Sequence, residues 1–495
     1  MTAKSKIAGL VLATALAGLP AGVFSKDRSS KDAIVHLLRT AEGRVPYTAA
    51  AEEFLVKDGS GKNGASLVAT SYVRSGVAAP SKRPVIFLFN GGPSAAAIGV
   101  HEQFGPFSDC SVESSVRICD NPNSLIGVAD LVMFDPAETG YSRVLPEGDR
   151  DFFYSTEGDA EALAQLVAVW LEKHDRRTSP VYLLGESYGS IRQVVTADRL
   201  AAKGIAISGH IILGNSIFLM ETSRRTNNIM STAVSLPLLA ITAAYHGKAD
   251  KRGQSDGAFL DEVYRFAMTD YLSALAKGHD ATPGERRQIA DGLEAYTGIS
   301  ASYYLDHDLA IAKHVFNKML LPGQALDRND SRIKSPAVPA GSGPERADPL
   351  FAKEQRFYEK LMREKIGAAY ADRGYQPYAP QSFERWDWGA GCSDYVGSAG
   401  LCNAKYGKRT IFVDYDWQAM LKRQLGKPGT RAIILSGYYD GLSSVGTHRY
   451  LRAQLGLAPD KLQLREYPAG HMTAGDPKAQ PDVMNDVKNF LAANR

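Results

Sequence analysis

The sequence predicts an α/β fold: a mostly parallel central sheet flanked by helices, carrying a helical lid insertion. Three observations predict it. Short apolar runs alternate with segments of helical spacing from about Ser66 to Leu219. Helical patterns then dominate from about Ser216 to Arg385, and strand signals return near the C-terminus. Strand–helix–strand order implies parallel pairing with both sheet faces covered.

Taken in order, Lys4 and Lys6 form a short positive region before Ile7–Leu19, a 13-residue run without a charge. As a helix it spans about 20 Å, too little for a bilayer core of about 30 Å. Small residues follow, with Ala15 and Ala17, or Val23 and Ser25, placed for cleavage. Residues 1–25 therefore read as a signal peptide, and the mature protein is expected to be periplasmic or secreted, without a membrane anchor.

Ser66–Arg74 and Pro84–Phe89 are β-rich, and Leu131–Asp135, Val181–Leu184 and His210–Leu213 suit strands buried on both faces. Between them, Glu157–Lys173 carries Leu163, Leu166, Val167 and Trp170 at helical spacing, and Ile191–Ala202 continues the alternation. In the insertion, Leu260, Val263, Tyr264, Ala267 and Tyr271 form an apolar stripe. Thr282-Pro283-Gly284-Glu285 opens a further helix: Thr282 can cap, Pro283 suits the first position, Glu285 can bond back, and Gly298 can stop it. Ser335–Pro349, with four prolines and two glycines, reads as an exposed loop. Arg431–Leu435 and Leu462–Tyr467 are strand-like, and a last helix starts near Pro481. The expected organisation is a core from 26–215 and 386–495 around an insertion at 216–385.

Composition narrows the function. The chain has 495 residues, 44% of them apolar, and 57 basic against 54 acidic side chains leave +3. That balance argues against a nucleic-acid binder relying on bulk charge. Four cysteines lack the paired spacing of a zinc site, and His101-Glu102-Gln103 lacks a second histidine one turn on. No metal or cofactor is expected. In an oxidising compartment, bridges within Cys110/Cys119 and within Cys392/Cys402 are the simplest of three connectivities.

The most informative segment is Val181–Gly189: an apolar strand, then Gly185-Glu186-Ser187-Tyr188-Gly189, then a helix. This G-x-S-x-G context places Ser187 on a sharp strand-to-helix turn with its hydroxyl exposed. A serine needs a base and a group to orient that base. His471, after the strand Leu462–Tyr467, is the expected base, and His448 its competitor. Asp440, after Ile433-Ile434-Leu435, is the expected acid, ahead of Asp414, Asp416 and Asp476. The amide of Tyr188 and one from Asn90-Gly91-Gly92-Pro93-Ser94 would form an oxyanion hole; that loop lacks the lysine of a P-loop. Arg192 is read either as a holder of an acidic group or as a helix salt bridge. Trp386, Trp388 and Tyr395 read as packing residues before substrate contacts.

Asn90-Gly91-Gly92-Pro93, Phe104-Gly105-Pro106-Phe107, Asn121-Pro122-Asn123-Ser124, Asp135–Ser142, Gly185–Gly189 and Gly470-His471-Met472 occur in the order found in serine carboxypeptidases of the α/β-hydrolase fold, and the chain resembles that family. Its middle resembles only bacterial members, through Leu321–Ile333. The resemblance implies Ser187, Asp440 and His471 as the triad and the amides of Gly92 and Tyr188 as the oxyanion hole. It also implies Asn90, Gly91 and Glu186 as holders of a peptide's terminal carboxylate, with Glu186 acting as a protonated acid. In two places the chain departs from the family: Phe104 stands where a second glutamate is usual, with Glu102 two residues away, and Leu88 replaces a tryptophan. The expected function is an exported serine carboxypeptidase. An esterase or acyltransferase on the same triad is the alternative, and a non-catalytic binding protein the more distant one.

Overall fold

The computed structural model describes residues 33–40, 43–112, 115–217, 228–337, 349–367, 370, 373–379, 385–388, 402–403, 408–409 and 417–493. The expected signal peptide, Cys392 with its bridge to Cys402, Tyr395, Asp414 and Asp416 lie outside the described residues.

A 10-stranded sheet organises the chain. Its strands are β1 (Ile34–Thr40), β2 (Gly43–Lys57), β3 (Asn63–Arg74), β4 (Val85–Phe89), β5 (Asp130–Phe134), β6 (Arg143–Val144), β7 (Val181–Glu186), β8 (Gly209–Leu213), β9 (Arg431–Gly437) and β10 (Leu462–Tyr467). They run in the order β1-β2-β3-β5-β4-β7-β8-β9-β10, with β6 paired to β3. From β5 to β10 every pairing is parallel; β1, β2 and β3 add antiparallel. This is the α/β architecture the alternation predicts. The sequence reading found no strand before Ser66, yet β1 and β2 lie there. The run Ala49-Ala50-Ala51-Glu52-Glu53 has no β propensity of its own. It is extended because it pairs with β3 along most of its length.

Period-two alternation sorts the side chains of β4 onto two cores. Ile86 and Leu88 join one cluster, while Val85, Phe87 and Phe89 join the other. Helix α1 (Ile98–Phe104) and the last helix, Gln480–Ala492, lie on the first face through Val100, Phe104, Val483, Val487 and Phe490. Helices α2 (Thr156–Lys173) and α3 (Gly189–Ala202) cover the other through Leu163, Trp170 and Leu200.

The insertion's helices bury a cluster of their own, including Leu239, Leu260, Val263, Leu293 and Tyr304, which reaches the main body at Tyr439 and Val445. Helix α4 (Ile229–Tyr245) is its central element. The capping box is present at Thr282 and Glu285, and Gly298 ends that helix in the left-handed region at φ 68°. The later part of the same stretch behaves differently: Phe357, Tyr358, Leu361, Tyr370 and Tyr375 pack into the main core beside β3 and α1. Cys110 and Cys119 are bridged, with Cα atoms 5.8 Å apart. No helix among the described residues is long and apolar enough to cross a membrane.

Candidate active site

Parallel strands present their C-terminal ends, and the loops following them, on one edge, where open α/β sheets bind ligands. The predicted residues lie on the loops after β4, β7, β9 and β10. At the end of β7 the chain reverses at Ser187, whose φ is 58°. A non-glycine residue there costs roughly 1–3 kcal/mol. Neighbours hold it: the Ser187 amide donates to the Leu213 carbonyl at 2.9 Å, and the Ser187 carbonyl accepts from the Ser190 amide at 2.9 Å. The Ser190 hydroxyl donates to the same carbonyl at 2.7 Å.

The loop after β4 lies directly on this turn. A Cβ added to Gly91 would sit 2.6 Å from the Tyr188 nitrogen and 2.8 Å from the Ser187 Cβ, so only glycine allows the approach. Gly92 follows at φ 110°. Among the described residues, neither the Gly92 nor the Tyr188 amide is spent on a turn or cap hydrogen bond. Two adjacent segments thus offer backbone donors next to the serine.

Arg192 resolves in favour of a salt bridge. Its buried guanidinium donates from Nε to Asp159 at 2.7 Å, and from its two terminal nitrogens to the carbonyls of Asn90 at 2.5 Å and Pro93 at 2.7 Å. It also stacks over the Tyr188 ring, 5.1 Å from its centre. Trp386 and Trp388 pack edge-on against that ring as well. Arg192 therefore fixes the loop after β4 to the serine turn.

Asp440 and His471 meet as expected. Asp440 is fully buried, and its Oδ2 accepts from His471 Nδ1 at 2.8 Å. Its Oδ1 accepts from the amides of Leu442 at 2.9 Å and Ser443 at 2.8 Å. With Nδ1 donating, a neutral ring keeps Nε2 as a proton acceptor. The imidazole packs on Gly214, the residue after β8: a Cβ there would lie 2.5 Å from Cε1 and 2.7 Å from Nδ1. Since the Ser187 amide bonds Leu213, the ring and the serine turn meet at the same end of β8.

His448, the competing histidine, is occupied. One ring nitrogen contacts the Ser436 hydroxyl and the other the Ser443 hydroxyl at 3.0 Å. It braces the loop carrying Asp440. Asp476 likewise pairs with Arg332 at 2.6 Å. The sequence reading missed Arg332 and its turn. Arg332 also donates to the Pro468 carbonyl at 2.7 Å, and the adjacent Asn329 carbonyl accepts from the His471 amide at 2.7 Å. The insertion therefore grips the loop that carries His471, within the Leu321–Ile333 stretch already singled out by resemblance.

Electrostatics follow the geometry. Burial pushes the His471 pKa down, but the charge and hydrogen bond of Asp440 outweigh it; Glu186 adds to the rise and Lys313 opposes it, leaving the imidazole above its ordinary value. Glu186 is buried, which raises its pKa; His471 and the hydrogen bond from Gln103 offset only part of that rise.

The sequence reading noted Phe104 where a second glutamate is usual and Glu102 as its possible substitute; the residue of this helix that meets Glu186 is Gln103, which it did not consider for that place. Phe104 is in the apolar core, and Gln103 Nε2 donates to Glu186 Oε2 at 2.8 Å. Helical spacing could have shown it. Gly99 packs on Asn90, and Gln103, four residues on, shares that face of α1. Asn90 accepts the Val100 amide at 3.0 Å through Oδ1, so its side chain has N–H groups to offer a ligand. Among the described residues, no group of three or more His, Cys, Asp or Glu side chains is placed to hold a metal ion.

Comparisons with known proteins agree with the motifs. Residues 72–209 match the family described as serine carboxypeptidase. Serine carboxypeptidase 1 of Hordeum vulgare is 24% identical over 424 residues, covering 81% of this chain and 76% of that one. A prohormone-processing carboxypeptidase from Saccharomyces cerevisiae superposes with a TM-score of 0.57 at 12% identity, covering 90% of this chain and 92% of that one. The last comparison shows the α/β-hydrolase fold. By sequence motif and by the match over residues 72–209, the chain is similar to the serine carboxypeptidases.

Proposed function

We propose that the protein is an exported serine carboxypeptidase that hydrolyses C-terminal peptide bonds through Ser187, His471 and Asp440. The observation that carries this reading is the Asp440–His471 pair at 2.8 Å, set against Gly214 at the strand end that also anchors the Ser187 turn. Ser187 attacks the carbonyl before the last residue while His471 takes its proton. Asp440 orients the ring and stabilises the imidazolium. The amides of Gly92 and Tyr188 receive the developing oxyanion; such donors are worth about 3 kcal/mol each. His471 then protonates the leaving amine, and water releases the acyl-enzyme.

The terminal carboxylate is assigned to Asn90, Gly91 and Glu186. The burial that raises the Glu186 pKa supports a protonated acid facing a carboxylate, and Gln103 orients it. The insertion's separately packed helices around α4 serve as the lid, and residues 1–25 as the export signal. Phe104, standing where the family has a second glutamate, favours the second reading, an esterase or acyltransferase on the same triad.

Labelling by a fluorophosphonate, lost in Ser187→Ala, tests the nucleophile. Hydrolysis of a blocked dipeptide, its C-terminal amide and a simple ester tests the specificity. The carboxypeptidase requires the free acid to be cleaved much faster than the amide. Equal rates for the two would favour the esterase.

A further inference from the structure

The insertion meets the acid and the base through one hairpin. Its strands, Gln324–Leu326 and Lys334–Pro336, pair antiparallel, and residues 327–333 form the loop between them. That loop sets its own shape. The Asp327 carboxylate accepts the amides of Asn329 at 2.7 Å and Asp330 at 3.0 Å, and the Asp327 amide closes the turn on the Ile333 carbonyl at 2.9 Å. The loop then bonds both catalytic loops. The Ser331 amide donates to the carbonyl of Tyr439, the residue before Asp440, at 3.0 Å, and the Asn329 carbonyl accepts the amide of His471 itself at 2.7 Å. Both contacts are close: a Cβ on Gly441 would lie 2.6 Å from the Arg328 carbonyl oxygen, and one on Gly470 2.6 Å from that of Asn329. On its outer side α4 holds Ser331, whose hydroxyl meets that of Thr242 at 2.6 Å and whose carbonyl accepts from His246 at 2.9 Å.

Arg332 closes this bridge. Its Nε and one terminal nitrogen donate to the Asp330 carboxylate at 2.9 and 2.5 Å, and the same terminal nitrogen reaches Asp476 at 2.6 Å. The other terminal nitrogen donates to the Pro468 carbonyl at 2.7 Å, and the guanidinium lies 5.1 Å from the centre of the Tyr439 ring. One side chain thus ties the hairpin to the chain before and after His471 and to the residue before Asp440. We infer that Arg332 is a positioning residue for His471, and that loop 327–333 belongs to the catalytic machinery. The inference rests on the triad reading above and gives the insertion a role besides that of a lid. The acid and base loops also touch directly, the Tyr439 amide donating to the Ala469 carbonyl at 3.0 Å, but the backbone of the base itself is held by the insertion. The fork of an arginine can bind two carboxylates and a carbonyl at once, which an ammonium does not reproduce. Loosening it lets the His471 loop shift against Asp440, whose contact with Nδ1 at 2.8 Å aligns the ring.

The test compares Arg332→Ala and Arg332→Lys with Arg287→Ala, a control that removes an exposed arginine of the same insertion, paired with Asp291. With an activated ester, Arg332→Ala should lower kcat about 100-fold and leave KM within about twofold, the effect of a misplacement near 1 Å. Arg332→Lys should recover part of this, to a loss of about tenfold. Proton NMR should show the downfield signal of the hydrogen between His471 and Asp440 in the wild type and in Arg287→Ala, and lose it in Arg332→Ala. A double-mutant cycle separates positioning from general support: in Asp440→Asn there is no carboxylate contact left to misalign, so adding Arg332→Ala should cost at most about threefold more. A folded Arg332→Ala protein with kcat within about threefold of wild type, an unmoved downfield signal, or the whole loss repeated in the Asp440→Asn background would each overturn the assignment. Should Arg332→Ala not fold, Arg332→Lys decides by the same measurements, and kcat within about twofold of wild type overturns it. A wild-type protein that fluorophosphonate does not label would instead remove the triad reading, and the downfield signal would still decide the clamp.

Discussion

Replacing Gly214 by alanine probes the convergence of the site without removing any polar group. The new methyl would begin 2.5 Å from His471 Cε1, whereas carbon atoms rest at about 3.5–4.0 Å. The ring must retreat by about 1 Å. Its Nδ1 is bonded to Asp440 at 2.8 Å, so a displacement of that size breaks the bond or swings Nε2 away from the serine. Misplacement by about 1 Å costs on the order of 100-fold, and loss of the oriented tautomer up to about 10⁴-fold. The expected fall in kcat/KM therefore lies between these limits, equivalent to about 3–5 kcal/mol of transition-state stabilisation. Alanine at φ 50° also carries a backbone penalty of roughly 1–2 kcal/mol. Gly456→Ala is the control: its φ is 59°, and nothing lies within 4 Å of the added methyl. Both variants should lose a few degrees in Tm, but only Gly214→Ala should lose esterase and peptidase activity and fluorophosphonate labelling. Turnover by Gly214→Ala within about threefold of Gly456→Ala would refute the packing of His471 on the end of β8 during catalysis.

Asp440→Asn leaves the shape of the triad intact but removes the carboxylate that fixes the tautomer; kcat for an activated ester should fall about 10⁴-fold with KM nearly unchanged. His471 must be neutral to act as base, and Asp440 holds its pKa above the ordinary imidazole value, so activity should fall as pH drops through that raised pKa. In the free enzyme an ionised Glu186 helps raise it, so Glu186→Gln should move the acidic limb of the kcat/KM profile to lower pH for esters and peptides alike. The same variant should raise KM for free-acid peptides far more than for esters; equal increases would remove Glu186 from carboxylate recognition. Arg192→Lys keeps the charge but not the fork that reaches Asp159, Asn90 and Pro93 together. Its kcat should drop about 10–100-fold for every acyl substrate, and crystallography should find the loop after β4 displaced.

Strands β3, β4, β5, β7, β8, β9 and β10, and the meeting of Asp440 with His471, were legible because they rest on local patterns. An apolar pentapeptide such as Val85–Phe89 reads as a strand buried on both faces, and the glycines of Gly185–Gly189 after such a strand mark the turn, which the Leu213 carbonyl then holds. Thr282 and Glu285 cap their helix through atoms three residues apart. Pairing, by contrast, decided β2, whose alanines and glutamates are extended only because β3 lies beside them. Tertiary packing alone placed Gln103 beside Glu186, set Arg192 on the loop after β4, and brought Asn329 and Arg332 from the insertion onto the His471 loop. Turn chemistry and hydrophobic period act within a few residues and are written in the chain. Which buried polar group meets which partner depends on where separate elements come to rest, because each must find its hydrogen bond in the one place that packing leaves open.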